Sequence, residues 1–203
     1  MITIVDYGMG NVGSIANMLK ELDETSIITD ELEEIRQSKK LILPGVGSFD
    51  KATNAIRQSG LLDALDYAVH QREVPLLGIC LGMQILSEES EEGDTAGLGW
   101  IPGKTKRFSQ EDKPELQVPH MGWNSITVRN NCALTQDLPE DPRFYFAHSY
   151  YVEVENDEHS IMETNYSIKF NSGIKKDNIY GVQFHPEKSH KYGLSLLKNF
   201  IRI

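Results

Sequence analysis

Apolar positions in the first half of this chain alternate between short solid blocks and helical spacing. "ITIV" at 2–5 reads as a buried strand, and Val12, Ile15, Met18, Leu19 and Leu22 then recur at the intervals of a helix with one buried face. "TSIIT" predicts a second strand, followed by a charged helical piece from Glu31 to about Ser38. "KLILP" predicts a third strand, stopped by Pro44-Gly45. Two helical stretches follow, around Lys51–Gln58 and over Leu61, Leu62, Leu65, Ala68 and Val69. "VPLLGIC" is a fourth strand, apolar throughout, as strands covered on both faces are. This alternation predicts an α/β fold: a mostly parallel, doubly wound sheet with helices on both faces.

The pattern changes after Gly93. "KTKRF", "WNSITV", "RFYFAHSYYVEV", "SIMET" and "NIYGVQF" predict strands joined by turns, with added antiparallel pairing in the C-terminal half. A last helix, about Tyr192–Ile201, buries Leu194, Leu197 and Phe200 or Ile201. Without a repeat, low-complexity tract or linker, the expectation is a single domain over residues 1–203.

Composition narrows the function classes. A net charge of −10 speaks against a nucleic-acid partner, which needs a concentrated basic surface. No apolar run approaches the roughly 18–20 residues of a membrane span, and the N-terminus lacks the basic start of a signal peptide. Two cysteines, Cys80 and Cys132, make neither a disulfide framework nor a metal-binding spacing, so no metal is expected and a cytoplasmic home is.

Gly8, Gly10 and Gly13 stand in the spacing G-x-G-x-x-G, and Asp30 and Glu31 end the second strand where a ribose-binding acid would sit. Asp6 and Tyr7 oppose a dinucleotide site. A carboxylate and a bulky ring occupy the place where pyrophosphate must approach bare backbone. A tight strand-to-helix turn explains the glycines without a cofactor.

A stronger constellation lies in "LLGICLGMQ". Gly78-Ile79-Cys80-Leu81-Gly82 is a cysteine counterpart of the nucleophile elbow, with the thiol held at the end of a strand and the start of a helix. A cysteine at its free pKa of about 8.5 is only slightly ionised at neutrality, so a base is needed. "GVQFHPEKS" offers His185, with Glu187 two residues on to hold its tautomer; extended backbone would put both on one side. His120 and His148, beside aromatic residues, are candidates to line a pocket, whereas His70 and His159 lie in polar surroundings. In "LPGVGSFD", a glycine-flanked loop can aim the Val46 N–H at a substrate oxygen, and the Leu81 N–H would complete an oxyanion hole. The acidic run Glu88–Glu92 reads as a solvated helix end, with a partner surface as the alternative.

"DYGMGN", "LPGVGSF", "GICLGMQ", "VPHMGWN", "FYFAHSYY" and "GVQFHPEKS", in this order, resemble the class I (triad) glutamine amidotransferases nearly end to end. Within that family they are most similar to the branch whose ammonia passes to a (β/α)8-barrel cyclase that builds the imidazole ring of a histidine precursor. The resemblance implies a flavodoxin-like fold and hydrolysis of glutamine to glutamate and ammonia, without metal or organic cofactor. It makes Cys80 the nucleophile, His185 the acid/base and Glu187 its orienter. Gly47, Gln84, His148, Ser149 and Tyr150 fall on segments around bound glutamine. Asn11, Met121, Trp123 and Lys188 become candidate contacts with the cyclase in a heterodimer. The Gly45–Val46 peptide is expected to be misdirected in the free protein and to turn into the oxyanion hole on docking. Two alternatives stay open: ammonia supply for amidino groups on surface sugars, and a stand-alone thiol hydrolase acting on γ-glutamyl or peptide bonds.

Overall fold

The computed structural model describes residues 1–111 and 114–203. In chain order the elements are β1 (Ile2–Val5), α1 (Val12–Glu21), β2 (Ser26–Thr29), α2 (Leu32–Arg36), β3 (Leu41–Gly45), α3 (Phe49–Gln58) and α4 (Leu61–Asp66). Next come β4 (Leu76–Cys80), α5 (Leu81–Gln84), β5 (Glu89–Ser90), β6 (Gly103–Arg107), β7 (His120–Ser125), β8 (Thr127–Val128) and β9 (Arg143–His148). The chain finishes with β10 (Tyr150–Val154), β11 (Ser160–Tyr166), β12 (Ile168–Lys176), β13 (Ile179–Val182) and α6 (His190–Arg202).

The main sheet runs β2-β1-β3-β4-β13-β12-β10-β6-β5, with β11 and β8 attached beyond β12. From β2 to β13 every pairing is parallel, in the doubly wound order. β13–β12, β12–β10 and β10–β6 are antiparallel. Alternation along each buried strand sorts its side chains between two apolar layers. Val5, Leu41, Leu43 and Leu76 face Phe49, Ile56, Leu61 and Leu65 of α3 and α4. Ile4, Ile42, Leu77 and Ile79 face Ile15 and Leu19 of α1 and Leu196 and Phe200 of α6. The expected doubly wound parallel sheet with helices on both faces is therefore present from β2 to β13, and the added antiparallel strands extend it from β13 onward. Among the described residues no helix is long and apolar enough to cross a membrane.

Three local expectations change. Glu88–Glu92 is not a helix end: it includes the edge strand β5, paired to β6, and the Glu92 carboxylate accepts a hydrogen bond from Phe49 N at the start of α3. "RFYFAHSYYVEV" divides at Ser149, because β9 pairs with β7 in a separate two-stranded sheet while β10 joins the main sheet. The apolar pattern does not announce β12, since its centre is filled by Ser172 and Gly173, small residues buried by neighbouring strands rather than by their own apolar bulk.

Candidate active site

Strand β4 ends at Cys80 and α5 begins at the next residue. Cys80 carries the bend itself, at φ 55 and ψ −110, a region that costs a non-glycine residue roughly 1–3 kcal/mol. Its flanking glycines are required by contact. A Cβ on Gly78 would lie 2.6 Å from the Gly82 carbonyl oxygen, and one on Gly82 only 1.9 Å from that of Leu43. The turn is thus packed against β3 at a distance no side chain allows.

Register brings the other groups alongside. Gly45 of β3 is the lateral partner of Cys80, so the Pro44–Gly47 loop leaves the sheet beside the sulfur. On the other flank Val182 of β13 pairs with Ile79, and the chain continues through Gln183 and Phe184 to His185. The His185 N–H donates to the Tyr145 carbonyl of β9, which anchors this extension. A 3-10 turn at Pro186–Lys188, not the expected extended backbone, then returns Glu187 to His185. The His185 Nδ1 to Glu187 Oε1 distance is 2.7 Å.

Burial opposes a charge on His185, but the neighbouring Cys80 sulfur and the hydrogen-bonded Glu187 carboxylate outweigh it, and its pKa is raised to about 10. An imidazole so held is protonated at neutrality, with a sulfur on one side and a carboxylate on the other.

These groups open into a cavity of about 310 Å³, at the small end of ligand pockets. Val46, Gly47, Leu81, Gln84, His148, Ser149 and Tyr150 all line it, together with Cys80 and His185. Met121 and Lys188 stand at its edge; Met121 is 63% exposed and Lys188 holds its ammonium over the Tyr145 ring. Asn11 and Trp123 do not line it: Asn11 is exposed just before α1, and half-exposed Trp123 stacks on His190. Val46 is also exposed, and its N–H has no hydrogen bond among the described residues.

Sequence reasoning missed two members. Gln183 is fully buried; its amide donates to the Cys80 sulfur at 3.7 Å and its oxygen accepts from Gln84. Its position two residues before His185 was the available signal. Glu92 places a carboxylate on the cavity wall, where burial raises its pKa despite the hydrogen bond from Phe49 N. A reading of its run as solvated surface concealed it.

Of the two aromatic-flanked histidines, His148 lines the cavity and His120 lies behind it, stacked on Phe146 and Tyr166. Their hydrogen bonds have one consistent direction. His148 Nδ1 faces the Tyr150 carbonyl at 2.6 Å and must carry the proton, so its Nε2 accepts from His120 Nδ1 at 3.0 Å. His120 Nε2 then accepts from Asn124. Both rings are neutral: burial pushes His120 down to about 4 and His148 to about 3. The Tyr150 carbonyl also accepts from Gln84, tying this row to the cavity floor.

The opening glycines make a turn. Gly8 and Gly10 take positive φ, and the Asp6 carboxylate folds back to accept a hydrogen bond from the Gly8 N–H. Asp6 and Asp30 line one shared cleft, a poor receptacle for a pyrophosphate.

The family description "Glutamine amidotransferase class-I" matches residues 3–203. The chain belongs to the class-I glutamine amidotransferases. It is 52% identical to "Imidazole glycerol phosphate synthase subunit HisH 2" of Methanococcus maripaludis, covering 100% of this chain and 99% of the relative. It is 44% identical to a protein with the same description from Pseudomonas aeruginosa, covering all of both chains. To "Imidazole glycerol phosphate synthase subunit HisH" of Leptospira interrogans it is 46% identical over 98% of each. Among solved structures, one described as glutamine amidotransferase superposes with a TM-score of 0.78 at 17% identity, covering 100% of this chain and 98% of the other. A chain of PurLQS from Thermotoga maritima gives 0.75 at 18% identity, over 99% and 97%. At such identities these structures speak for the fold. The family makes this chain an enzyme acting on the glutamine amide.

Proposed function

We propose that this chain, as a single amidotransferase domain, is the glutaminase subunit of an imidazole glycerol phosphate synthase in the cytoplasm. It hydrolyses L-glutamine to glutamate and ammonia, and the ammonia passes to a (β/α)8-barrel cyclase that forms imidazole glycerol phosphate and AICAR in histidine biosynthesis. The observation that carries the reading is the strained Cys80 elbow opening into one small cavity with the buried His185–Glu187 pair.

The chemistry follows from the positions. The Cys80 sulfur attacks the side-chain carboxamide carbon of glutamine, and the Val46 and Leu81 N–H groups receive the oxyanion. Protonated His185 gives its proton to the departing nitrogen, which leaves as ammonia and a thioester remains. Neutral His185 then takes a proton from water as the hydroxyl adds to the thioester, releasing glutamate and the cysteine sulfur. Glu187 holds His185 in orientation throughout. Gly47, Gln84, His148, Ser149 and Tyr150 surround the glutamine, and Glu92 meets its ammonium with opposite charge. Asn11, Met121, Trp123 and Lys188 face the cyclase. In the free chain the Gly45–Val46 peptide is turned away from the oxyanion, and docking turns it in.

Full-length identities of 44–52% to named synthase subunits favour the histidine acceptor over sugar amidination. The test is ammonia release from glutamine, measured alone and with the cyclase and its nucleotide substrate. Stimulation with ring formation supports the reading. Full-rate hydrolysis by the isolated chain contradicts the docking switch, and stimulation only by a sugar-amidating synthase would reassign the pathway.

A further inference from the structure

The Tyr7 hydroxyl takes no part in these steps, yet it is buried against the groups that do. Tyr7 is 8% exposed, and its Oη has no hydrogen-bond partner among the described residues. Buried hydroxyls are costly to leave unpaired, so an orphan beside a catalytic loop calls for a reason. A Cβ on Gly45 would lie 2.6 Å from Tyr7 Oη, 2.8 Å from Gly82 N and 2.9 Å from Leu81 Cβ. The hydroxyl therefore rests on the α-carbon of Gly45, beside the first turn of α5. Tyr7 is not part of the wall of the Cys80 cavity; it reaches Gly45 from the layer beneath, where its ring packs among core residues. Burial first, then charge on Cys80, pushes its phenol far above the ordinary tyrosine value, so Oη keeps its proton and remains a donor.

Gly45 begins the peptide whose N–H belongs to Val46. In a planar trans peptide the N–H and C=O point in opposite directions. Turning the Val46 N–H onto a substrate oxygen in the cavity sends the Gly45 carbonyl away from it, into the protein, where it needs a donor. The Tyr7 hydroxyl is a buried side-chain donor at that spot with no other partner among the described residues. We propose that Tyr7 is a positioning residue for the oxyanion hole: its hydroxyl donates to the turned Gly45 carbonyl and so holds the Val46 N–H on the oxyanion. The inference rests on the glutaminase reading with Val46 as one arm of the hole.

The test is Tyr7→Phe, which removes one oxygen and keeps the ring, in the full chain with its cyclase. The expected result is a kcat for glutamine about tenfold lower, the worth of one buried hydrogen bond, with KM within about twofold. Glutamate γ-semialdehyde, which forms a tetrahedral adduct on the sulfur and needs the hole, binds about tenfold more weakly. Alkylation of Cys80 by iodoacetamide, which needs no hole, keeps its rate, and the melting temperature is unchanged or higher. An idle hydroxyl predicts unchanged kcat and aldehyde binding, and that result overturns the proposal while the glutaminase reading stands. Alkylation slowed in step with kcat also overturns it, by placing the effect on the sulfur. Wild-type protein without cyclase-stimulated glutaminase activity overturns the functional reading itself.

Discussion

Nδ1 of His185 and Oε1 of Glu187 lie 2.7 Å apart, with side chains only 4% and 2% exposed. Glu187 Oε2 has no partner among the described residues, so the bond to His185 is the carboxylate's principal attachment. Glu187→Gln keeps the shape and deletes the charge. It should lower kcat by about 10²- to 10⁴-fold, the range known for orienting carboxylates in triads.

The same pair sets a pH dependence. His185 titrates near 10 in the folded chain, against about 6.5 when unfolded. The stability its charge contributes is complete below pH 6.5 and is lost as pH rises toward 10. Thermal unfolding of wild type and Glu187→Gln should accordingly converge between these limits. A constant gap would contradict the assignment.

His120 and His148 act in the opposite direction. Both stay neutral to about 4 and 3, so below pH 6.5 the unfolded chain takes up protons that the folded chain refuses. Stability should fall as pH drops from 6.5 toward 4. His120→Phe keeps the stack with Phe146 and Tyr166 but removes the donor to His148. It should cost about 1–3 kcal/mol at pH 7 and make the acid limb shallower by about 1.4 kcal/mol per pH unit. Denaturant titrations at pH 7 and pH 5 measure both effects.

Glycines of two motifs should respond with opposite signs. Gly82→Ala pushes a methyl group onto the Leu43 carbonyl, at 1.9 Å, and should destabilise by more than about 4 kcal/mol or prevent folding. Gly13, inside α1, has nothing within 4 Å of a Cβ, and Gly13→Ala should stabilise by roughly 0.5–1 kcal/mol. Chemical denaturation compares them; a destabilising Gly13→Ala would revive a role for the third glycine of the opening fingerprint.

Trp123 is 46% exposed, and the other tryptophan, Trp100, is 6% exposed. On the proposed function, covering by the cyclase should shift Trp123 fluorescence to the blue and leave Trp100 unmoved. On the same reading, Trp123→Ala should weaken association, by more than about 2 kcal/mol where the ring serves as an aromatic anchor of that interface. Titration with the cyclase, followed by fluorescence, reads both.

The parallel half of the sheet and the elbow were legible because their signals are local. Solid apolar blocks mark strands buried on both faces, and the spacing of Gly78 and Gly82 about Cys80 reflects contacts within one turn and its neighbour strand. The remainder depends on pairings far apart in sequence. Nothing near Ser149 announces that β9 and β10 join different sheets, and β12 is made a strand by the partners on either side of it. Gln183 acquires meaning through Gln84 and Cys80, and Glu92 through Phe49, each across tens of residues. His120 could be placed near a pocket from its aromatic neighbours. Its hydrogen bond to His148 needed the register of β7 against β9.

The most direct test of the whole account is to look for glutamine's acyl group on the sulfur. Wild-type chain with the proposed cyclase is mixed with glutamine, quenched in acid within the first turnover, digested, and analysed by mass spectrometry. A glutamyl thioester on the Cys80 peptide, absent from Cys80→Ala together with ammonia release, is the predicted result. Undiminished ammonia release by Cys80→Ala would contradict it.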